Sequence, residues 1–291
     1  MQRQKKYLKS SYTILAENVD EIVRQNKQAH ALNHVLGLLP KAIVLQKPEH
    51  ILDVACGTGL WVLEMAKANP HTQVIGFDRS VPIVEYACAL AREQNISNAT
   101  FLRADAREVL RFQDTHFDLV HLRFCTGFMT DLTWPRFLNE CHRITKPGGW
   151  CLNTELDLQF GNCPYASTYW RWYTDALYTS KQIFTSGGLA QSFFPFQEAL
   201  FADAGFVDIK THQVTIDFSS GMPKYSLLMP VMCDGFDEVG DFLIRTGVAK
   251  DEEVMETLHN LVTEARSSSF QCIGCWQHVW GRKANDHQIE P

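Results

Sequence analysis

The stretch that most constrains the fold is Ile51 to Gly59, which reads Ile-Leu-Asp-Val-Ala-Cys-Gly-Thr-Gly. Its apolar start is typical of a strand in a parallel sheet that is covered on both faces. Gly57 and Gly59 then let the backbone turn sharply and leave it bare for a ligand. A helical pattern of apolar residues begins at residue 60. The stretch therefore predicts a strand, a glycine loop and a helix that together form a nucleotide cradle.

Strand and helix patterns alternate from residue 50 to residue 157, with short connections. This alternation specifies a parallel sheet with right-handed crossovers. Asp78 closes the second strand, 19 residues after Gly59. A carboxylate at that point can accept hydrogen bonds from the two hydroxyls of a ribose. We therefore expect a ligand across the carboxyl ends of the first strands.

The run Asp53-Val54-Ala55-Cys56-Gly57-Thr58-Gly59 resembles the first motif of the class I S-adenosylmethionine-dependent methyltransferases, in which three residues separate an acid from Gly-x-Gly. A dinucleotide dehydrogenase would need a third glycine, where this chain has Val62. The resemblance implies an α/β fold: a Rossmann-like, seven-stranded, mostly parallel sheet with helices on both faces. It also implies an antiparallel last strand and helical lid insertions.

The resemblance implies S-adenosylmethionine as cofactor. Asp53 would act on the donor ammonium directly or through water, and Asp78 would hold the ribose. Arg79 would flank the adenine, which Asp105 and Ala106 would recognise. The implied cofactor-binding set is Asp53, Ala55, Gly57, Gly59, Asp78, Arg79, Asp105, Ala106 and Arg123. The alternative for Asp78 and Asp105 is that each caps a helix.

Methyl transfer from a sulfonium is a direct displacement, so the enzyme mainly supplies proximity and alignment, and a base is optional. Candidate catalytic residues are Arg123, at the end of the fourth strand, and Glu155, at the end of the fifth. Asp157 is a further pocket candidate. Arg123 could instead serve an ion pair, and Glu155 could be a solvated loop carboxylate. His121 lies inside a strand, which favours a packed core histidine over a base.

The predicted organisation is an N-terminal helical lid over 1–40 and one methyltransferase domain over 41–283. Its helical insertions span about 158–195 and 221–266, and a disordered tail follows over 284–291. Tyr12 and Asn18 are candidate lid residues, although the first helices could only pack on the sheet. The first insertion is rich in aromatic residues. They suit a flat or apolar acceptor, but they could equally form core.

Composition restricts the partners. A net charge of −6 and a pI near 6.0 argue against a nucleic-acid surface. The basic N-terminus lacks the apolar stretch of a signal peptide, and the chain has no long apolar run, so we predict a cytoplasmic protein without a membrane partner. Nine cysteines are expected as reduced thiols. Cys272 and Cys275 face opposite sides of a strand, so no metal site is predicted.

These observations predict an S-adenosylmethionine-dependent methyltransferase that transfers a methyl group to an oxygen, nitrogen or carbon nucleophile of a small molecule. A natural-product or quinone-like hydroxyl or amine is the expected acceptor type. The alternative is a protein of the same fold that binds the donor without methylating, as a cyclase or a binding module. The sequence leaves the acceptor and the oligomeric state open.

Overall fold

The computed structural model describes residues 19–182 and 194–285. Tyr12, Asn18 and almost all of the predicted tail lie outside these residues. The helices are α1 Val19–Leu36, α2 Leu60–Ala68, α3 Val81–Glu93, α4 Thr133–Ile144, α5 Pro164–Thr179, α6 Phe194–Asp203, α7 Tyr225–Thr246 and α8 Asp251–Ala265, with a short 3-10 helix at Cys125–Gly127. The strands are β1 His50–Val54, β2 Gln73–Asp78, β3 Ala99–Arg103, β4 Phe117–Arg123, β5 Thr145–Gly161, β6 Phe206–Asp217 and β7 Cys272–Lys283.

The strands form one seven-stranded sheet in the order β3-β2-β1-β4-β5-β7-β6. Strand β7 runs antiparallel to both β5 and β6, and the other pairs are parallel. The predicted mostly parallel sheet with an antiparallel last strand is confirmed. The chain order reverses between β1 and β4, and open α/β sheets bind ligands outside the carboxyl ends of the strands at such a switch point.

Apolar side chains cover both faces of the sheet. On one face, α4 and α6 bury Trp134, Phe137 and Phe201 against the strands. On the other, α2 and α3 bury Trp61 and Leu63. Full burial of a large apolar side chain is worth roughly 1.5–3 kcal/mol, so these layers hold the strands in register. The predicted helices on both faces are confirmed.

Strand β5 spans Thr145–Gly161 and continues past Glu155, where we expected it to end. The Pro-Gly-Gly segment at 147–149, a composition typical of turns, lies inside the strand. The pairing of β4 with β5 accommodates this segment by a register shift between Phe117 and Leu119 of β4. Gly148 takes a positive φ of 74°. The far end of β5 pairs with β7 beyond the parallel part of the sheet, and α5 follows it.

Helices α1, α5, α7 and α8 pack together in a second core beside the carboxyl ends of the strands. The hydroxyl of Tyr169 in α5 donates to the carbonyl of Phe236 in α7. Asn33 in α1 bonds to Glu64 of α2, which ties this layer to the sheet. Within the described part of the chain, no helix is both long enough and apolar enough to cross a bilayer.

Candidate functional site

A cavity of about 1200 Å³ lies at the carboxyl ends of β1, β2, β3, β4 and β5. One half is formed by the glycine loop and the segments after β2 and β3. Helices α1, α5 and α7 supply the remaining walls, and α1 also reaches the glycine loop, where Gln25 lies beside Gly57. Pockets for single drug-sized ligands measure roughly 300–1,000 Å³, so this cavity has room for more than one small ligand.

The glycine loop has a shape that side chains would block. Gly57 and Gly59 have φ values of 54° and 75°, in the left-handed region, and Ala55 is also left-handed at 53°. A Cβ on Gly59 would come within 2.4 Å of the Phe101 ring. The Thr58 hydroxyl in the same loop is buried and has no hydrogen-bond partner among the described residues. Bare backbone, local strain and an unsatisfied polar atom together are typical of a ligand cradle.

Asp78 connects the cradle to the end of β2. Its Oδ2 accepts from the backbone N–H of Gly57 at 3.2 Å, and its Oδ1 accepts from that of Ser80 at 2.9 Å. Burial raises the pKa of the carboxyl. The N-cap residue of α3 is Ser80, so the helix-cap alternative for Asp78 is wrong. The carboxylate lines the cavity beside the loop, where a bound polyol could reach it.

Asp105 and Ala106 lie in the cavity wall after β3. Asp105 Oδ2 pairs with Arg107 Nη2 at 2.7 Å, and Oδ1 accepts from the Arg107 backbone N–H at 3.0 Å. No helix lies between β3 and β4 in the described chain, so the helix-cap alternative for Asp105 is also wrong. Arg79 lines the same half. Exposed apolar side chains stand at this rim, where a flat ring could contact them: Val81, Leu102 and Val109.

Asp53 and His121 form a buried pair beside the cradle. His121 Nδ1 lies 2.7 Å from Asp53 Oδ1, and the ring of His121 stacks on Trp61. The expectation of a packed core histidine is confirmed, but sequence reasoning missed its carboxylate partner. Asp53 also lines the cavity, so the pair connects the core of the sheet with the ligand space.

Arg123 both lines the cavity and joins a polar network. Its Nη1 donates to Asn33 Oδ1 at 2.9 Å, and Asn33 Nδ2 donates to Glu64 Oε2 at 2.9 Å. Burial lowers the pKa of Arg123, while the charges of Asp53 and Glu64 oppose that effect. Arg123 therefore lines the cavity, as the site interpretation expects, and its guanidinium bonds to the neutral amide of Asn33, where the alternative expected an ion pair.

Glu155 is buried in β5, 2% exposed, and faces the cavity. Its Oε1 accepts from the backbone N–H of Cys125 at 2.8 Å and of Thr126 at 3.4 Å. Burial raises the pKa of Glu155 to about 8. The alternative of a solvated loop carboxylate is wrong, because β5 continues past this residue. For Asp157, the other acid predicted here, the structure describes the backbone but not the side chain.

Aromatic residues contribute to the cavity wall together with Glu155. The sequence left the aromatic insertion open between pocket and core: Trp170 and Tyr173 line the cavity, whereas Trp172 packs against Tyr169 and Tyr178 is 42% exposed. Phe184 and Phe193 lie outside the described residues, and so does the side chain of Phe194. Sequence reasoning missed several lining residues on α1, α5 and α7: Arg24, Gln25, Gln28, Tyr169 and Phe236. Local patterns carry no signal for them, since their positions depend on how separate helices meet.

Among the residues that the structure describes, no cluster of three or more histidine, cysteine or acidic side chains could hold a metal ion. Cys272 is buried and Cys275 is partly exposed on β7. The nine cysteines are free thiols.

Comparison with known proteins places the glycine loop in a recognised domain. A methyltransferase-domain family model matches residues 51–149. The chain is 30% identical over 181 residues to the demethylmenaquinone methyltransferase of Geobacillus kaustophilus, covering 59% of this chain and 76% of the relative. It is 34% identical over 134 residues to that of Lactiplantibacillus plantarum, covering 45% of this chain and about half, 54%, of the relative. The methyltransferase pytC of Aspergillus terreus is 28% identical, covering 58% of this chain and 49% of the relative.

Solved structures agree on the fold. Phosphoethanolamine N-methyltransferase 2 of Haemonchus contortus, crystallised with phosphomonomethylethanolamine and S-adenosylhomocysteine, superposes with a TM-score of 0.57 at 16% identity. That alignment covers 91% of this chain and 57% of the other. The YcgJ protein of Bacillus subtilis superposes with a TM-score of 0.55 at 18% identity, and the alignment covers 87% of this chain and all of the other.

Proposed function

Because the chain belongs to the class I S-adenosylmethionine-dependent methyltransferases, we propose that one cavity holds donor and acceptor together. The enzyme methylates a small molecule, and S-adenosylmethionine is its cofactor. When bound, this cofactor supplies a methyl group on a positively charged sulfur, which a nucleophile displaces directly. The observation that carries the proposal is the single cavity that joins the glycine cradle to an aromatic chamber containing Glu155.

We assign the donor to the half of the cavity formed by the glycine loop. Gly57 and Gly59 leave room for its backbone contacts, and Ala55 precedes them in the same loop. Asp53 would accept from the donor ammonium, and Asp78 would accept from the ribose hydroxyls. Adenine would lie along the segment after β3, against Ala106 and Arg79, with its exocyclic amine toward Asp105. The unsatisfied Thr58 hydroxyl supports this placement, because a buried polar atom without a partner is costly.

We propose a flat, uncharged acceptor. Aromatic rings wall the chamber, and flat ligands stack on such rings with favourable geometry. The chamber offers little free positive charge, since Arg24 is paired with Glu21 and Arg123 is balanced by Asp53 and Glu64. A phosphate or carboxylate would therefore find no uncompensated cation in these two arginines. The name of the Geobacillus relative, demethylmenaquinone methyltransferase, also fits a ring-shaped acceptor.

Glu155 would take the proton from the acceptor. A general base works best when its pKa lies near the working pH, and burial brings the pKa of Glu155 to about 8. The N–H groups of Cys125 and Thr126 hold one oxygen in place. The acceptor class that matches this base is a ring hydroxyl. Arg123 would act by holding α1 over the cavity through Asn33.

We also propose that α1 belongs to the predicted lid over 1–40 and that residues 41–283 form one catalytic domain. Gln25 of α1 supports the lid, because its Oε1 would lie 3.1 Å from a Cβ on Gly57. We propose that the protein has no nucleic-acid partner, because its net charge is −6. We propose a cytoplasmic location because its nine cysteines are free thiols.

The test supplies S-adenosylmethionine with a labelled methyl group and two acceptors, a reduced 1,4-naphthoquinone and phosphoethanolamine. We expect label on the naphthoquinol only. We also expect Glu155→Gln to lower kcat by about 10²–10⁴-fold, the usual range for a positioned base. Glu140→Gln changes a part-buried carboxylate outside the cavity lining and should stay near the wild type. Transfer to phosphoethanolamine alone would refute the acceptor class. Tight S-adenosylhomocysteine binding without turnover on any ring hydroxyl would favour the non-methylating alternative.

A further inference from the structure

We infer that His121 is a positioning residue for the methyl donor, because it fixes the direction in which the Asp53 carboxylate faces the donor ammonium. This inference rests on the proposed assignment of Asp53 to the donor. His121 itself does not line the cavity, so it acts through Asp53 and has no contact of its own with the reacting groups.

The pair arises from the sheet register. Strands β1 and β4 are parallel neighbours, and Asp53 lies directly opposite His121. Their side chains meet with His121 Nδ1 2.7 Å from Asp53 Oδ1. The Asp53 side chain is 5% exposed and that of His121 is 3% exposed. A carboxylate this deeply buried needs a hydrogen-bonding partner, and His121 supplies it.

The His121 ring is held in one orientation. It stacks on Trp61, with ring centroids 3.9 Å apart and planes only 8° from parallel. The indole is itself anchored, because Trp61 Nε1 donates to the carbonyl of Leu38 at 2.9 Å. A ring fixed by both stacking and a hydrogen bond keeps its Nδ1 at one place. The position of Asp53 Oδ1 is therefore fixed as well.

Fixing one carboxylate oxygen also fixes the other, since the two diverge from the same carbon. Asp53 lines the cavity, so the oxygen not held by His121 is the one that can serve a ligand. Burial lowers the pKa of His121, which favours a neutral ring that donates its Nδ1 hydrogen. A neutral His121 ring leaves the negative charge of Asp53 available to the ammonium of the methyl donor. Residues behind metal ligands orient the ligating side chains in the same way.

A histidine that only fills the core would support every ligand equally, and this difference gives the test. S-adenosylhomocysteine carries the ammonium, whereas 5′-deoxy-5′-methylthioadenosine keeps the adenosine and sulfur but lacks the amino-acid part. Titration calorimetry would measure the dissociation constant of each ligand for the wild type, His121→Asn, His121→Gln and Asp53→Asn. The Asn amide nitrogen can replace Nδ1, whereas the Gln amide nitrogen lies nearer the position of Nε2.

We expect His121→Gln to weaken S-adenosylhomocysteine by at least about tenfold, which corresponds to about 1.4 kcal/mol, and to change methylthioadenosine by less than about twofold. His121→Asn should restore most of the lost affinity. His121→Phe keeps the stack on Trp61 but removes the hydrogen-bond donor. It should show the same selective loss, and it replaces the Gln variant if that one does not fold by circular dichroism.

Equal weakening of both ligands, or no weakening of either, would overturn the role of His121. The proposed donor site fails separately if the wild type does not bind S-adenosylhomocysteine, or if Asp53→Asn weakens both ligands alike. Selective loss with Asp53→Asn but not with the His121 variants would leave the donor site in place and refute only the positioning role.

Discussion

The buried carboxyl of Glu155 makes the stability of the fold depend on pH in a calculable way. Its pKa rises from 4.5 to about 8 because burial disfavours the charged form. Between these values the folded protein holds a proton that the unfolded chain has lost, so stability falls as pH rises. The stabilisation that the protonated Glu155 contributes is fully present below about pH 4.5 and is lost as the pH rises through about 8. At about 1.4 kcal/mol per pH unit, the total loss approaches roughly 5 kcal/mol.

Glu155→Gln removes this titration while keeping an oxygen that can accept from the Cys125 N–H. We expect the free energy of unfolding of the variant, relative to wild type, to rise by about 1.4 kcal/mol per pH unit between pH 5 and 8. Urea unfolding at intervals from pH 5 to 9 measures it. Glu140→Gln is the control, because Arg143 lowers the pKa of Glu140. This carboxyl is therefore ionised in both the folded and the unfolded chain across this pH range.

Parallel pH profiles for Glu155→Gln and wild type would refute the reasoning, because they would mean that the Glu155 carboxyl titrates alike in the folded and unfolded chains. The rate of methyl transfer gives a second readout on the same group. In the wild type it should increase with pH through about 8 as the base ionises. In Glu155→Gln it should stay low without that rise.

Three further perturbations test other parts of the site. Gly59→Ala should destabilise the fold by at least about 1–2 kcal/mol in urea, because a left-handed backbone disfavours a Cβ and that atom would meet Phe101 at 2.4 Å; an unchanged midpoint would contradict the cradle geometry. Asp78→Ala should weaken S-adenosylhomocysteine by at least about tenfold in calorimetry, about 1.4 kcal/mol, with the circular dichroism spectrum unchanged, and equal affinity would rule out its assignment. Asn33→Leu should cost about 1–3 kcal/mol of stability, since it leaves a buried Arg123 N–H without its acceptor; a stability equal to wild type would show that the network is not needed.

The first half of the fold was predictable because its signals are local. The apolar runs of β2 and β4 end where turn or polar residues begin, and the two strands end at Asp78 and Arg123 as expected. The glycine loop was predictable for the same reason, since Gly57 and Gly59 adopt the positive φ that only glycine takes readily. Short-range sterics decide these features, so one sequence suffices to find them.

The missed features depend on segments that are far apart in the chain. Asp53 and His121 are 68 residues apart, and their contact follows from the adjacency of β1 and β4. Glu155 reads as a loop acid until β5 is seen to continue and helices cover it. Gln25 lies over Gly57 only because α1 packs against α7. Tertiary packing, and no local propensity, determines each of these positions.

The shared cavity has a consequence for inhibitor chemistry. Because one continuous space of about 1200 Å³ joins the cradle to the aromatic chamber, no wall of described residues separates the proposed donor site from the proposed acceptor site. A linker that joins an adenosine to a flat ring would make binding of the second group intramolecular. Such tethering can raise the overall affinity by about 10²–10⁴-fold without any new contact. The molecule thus offers a template for bisubstrate compounds whose spacer reproduces the sulfur-to-nucleophile distance.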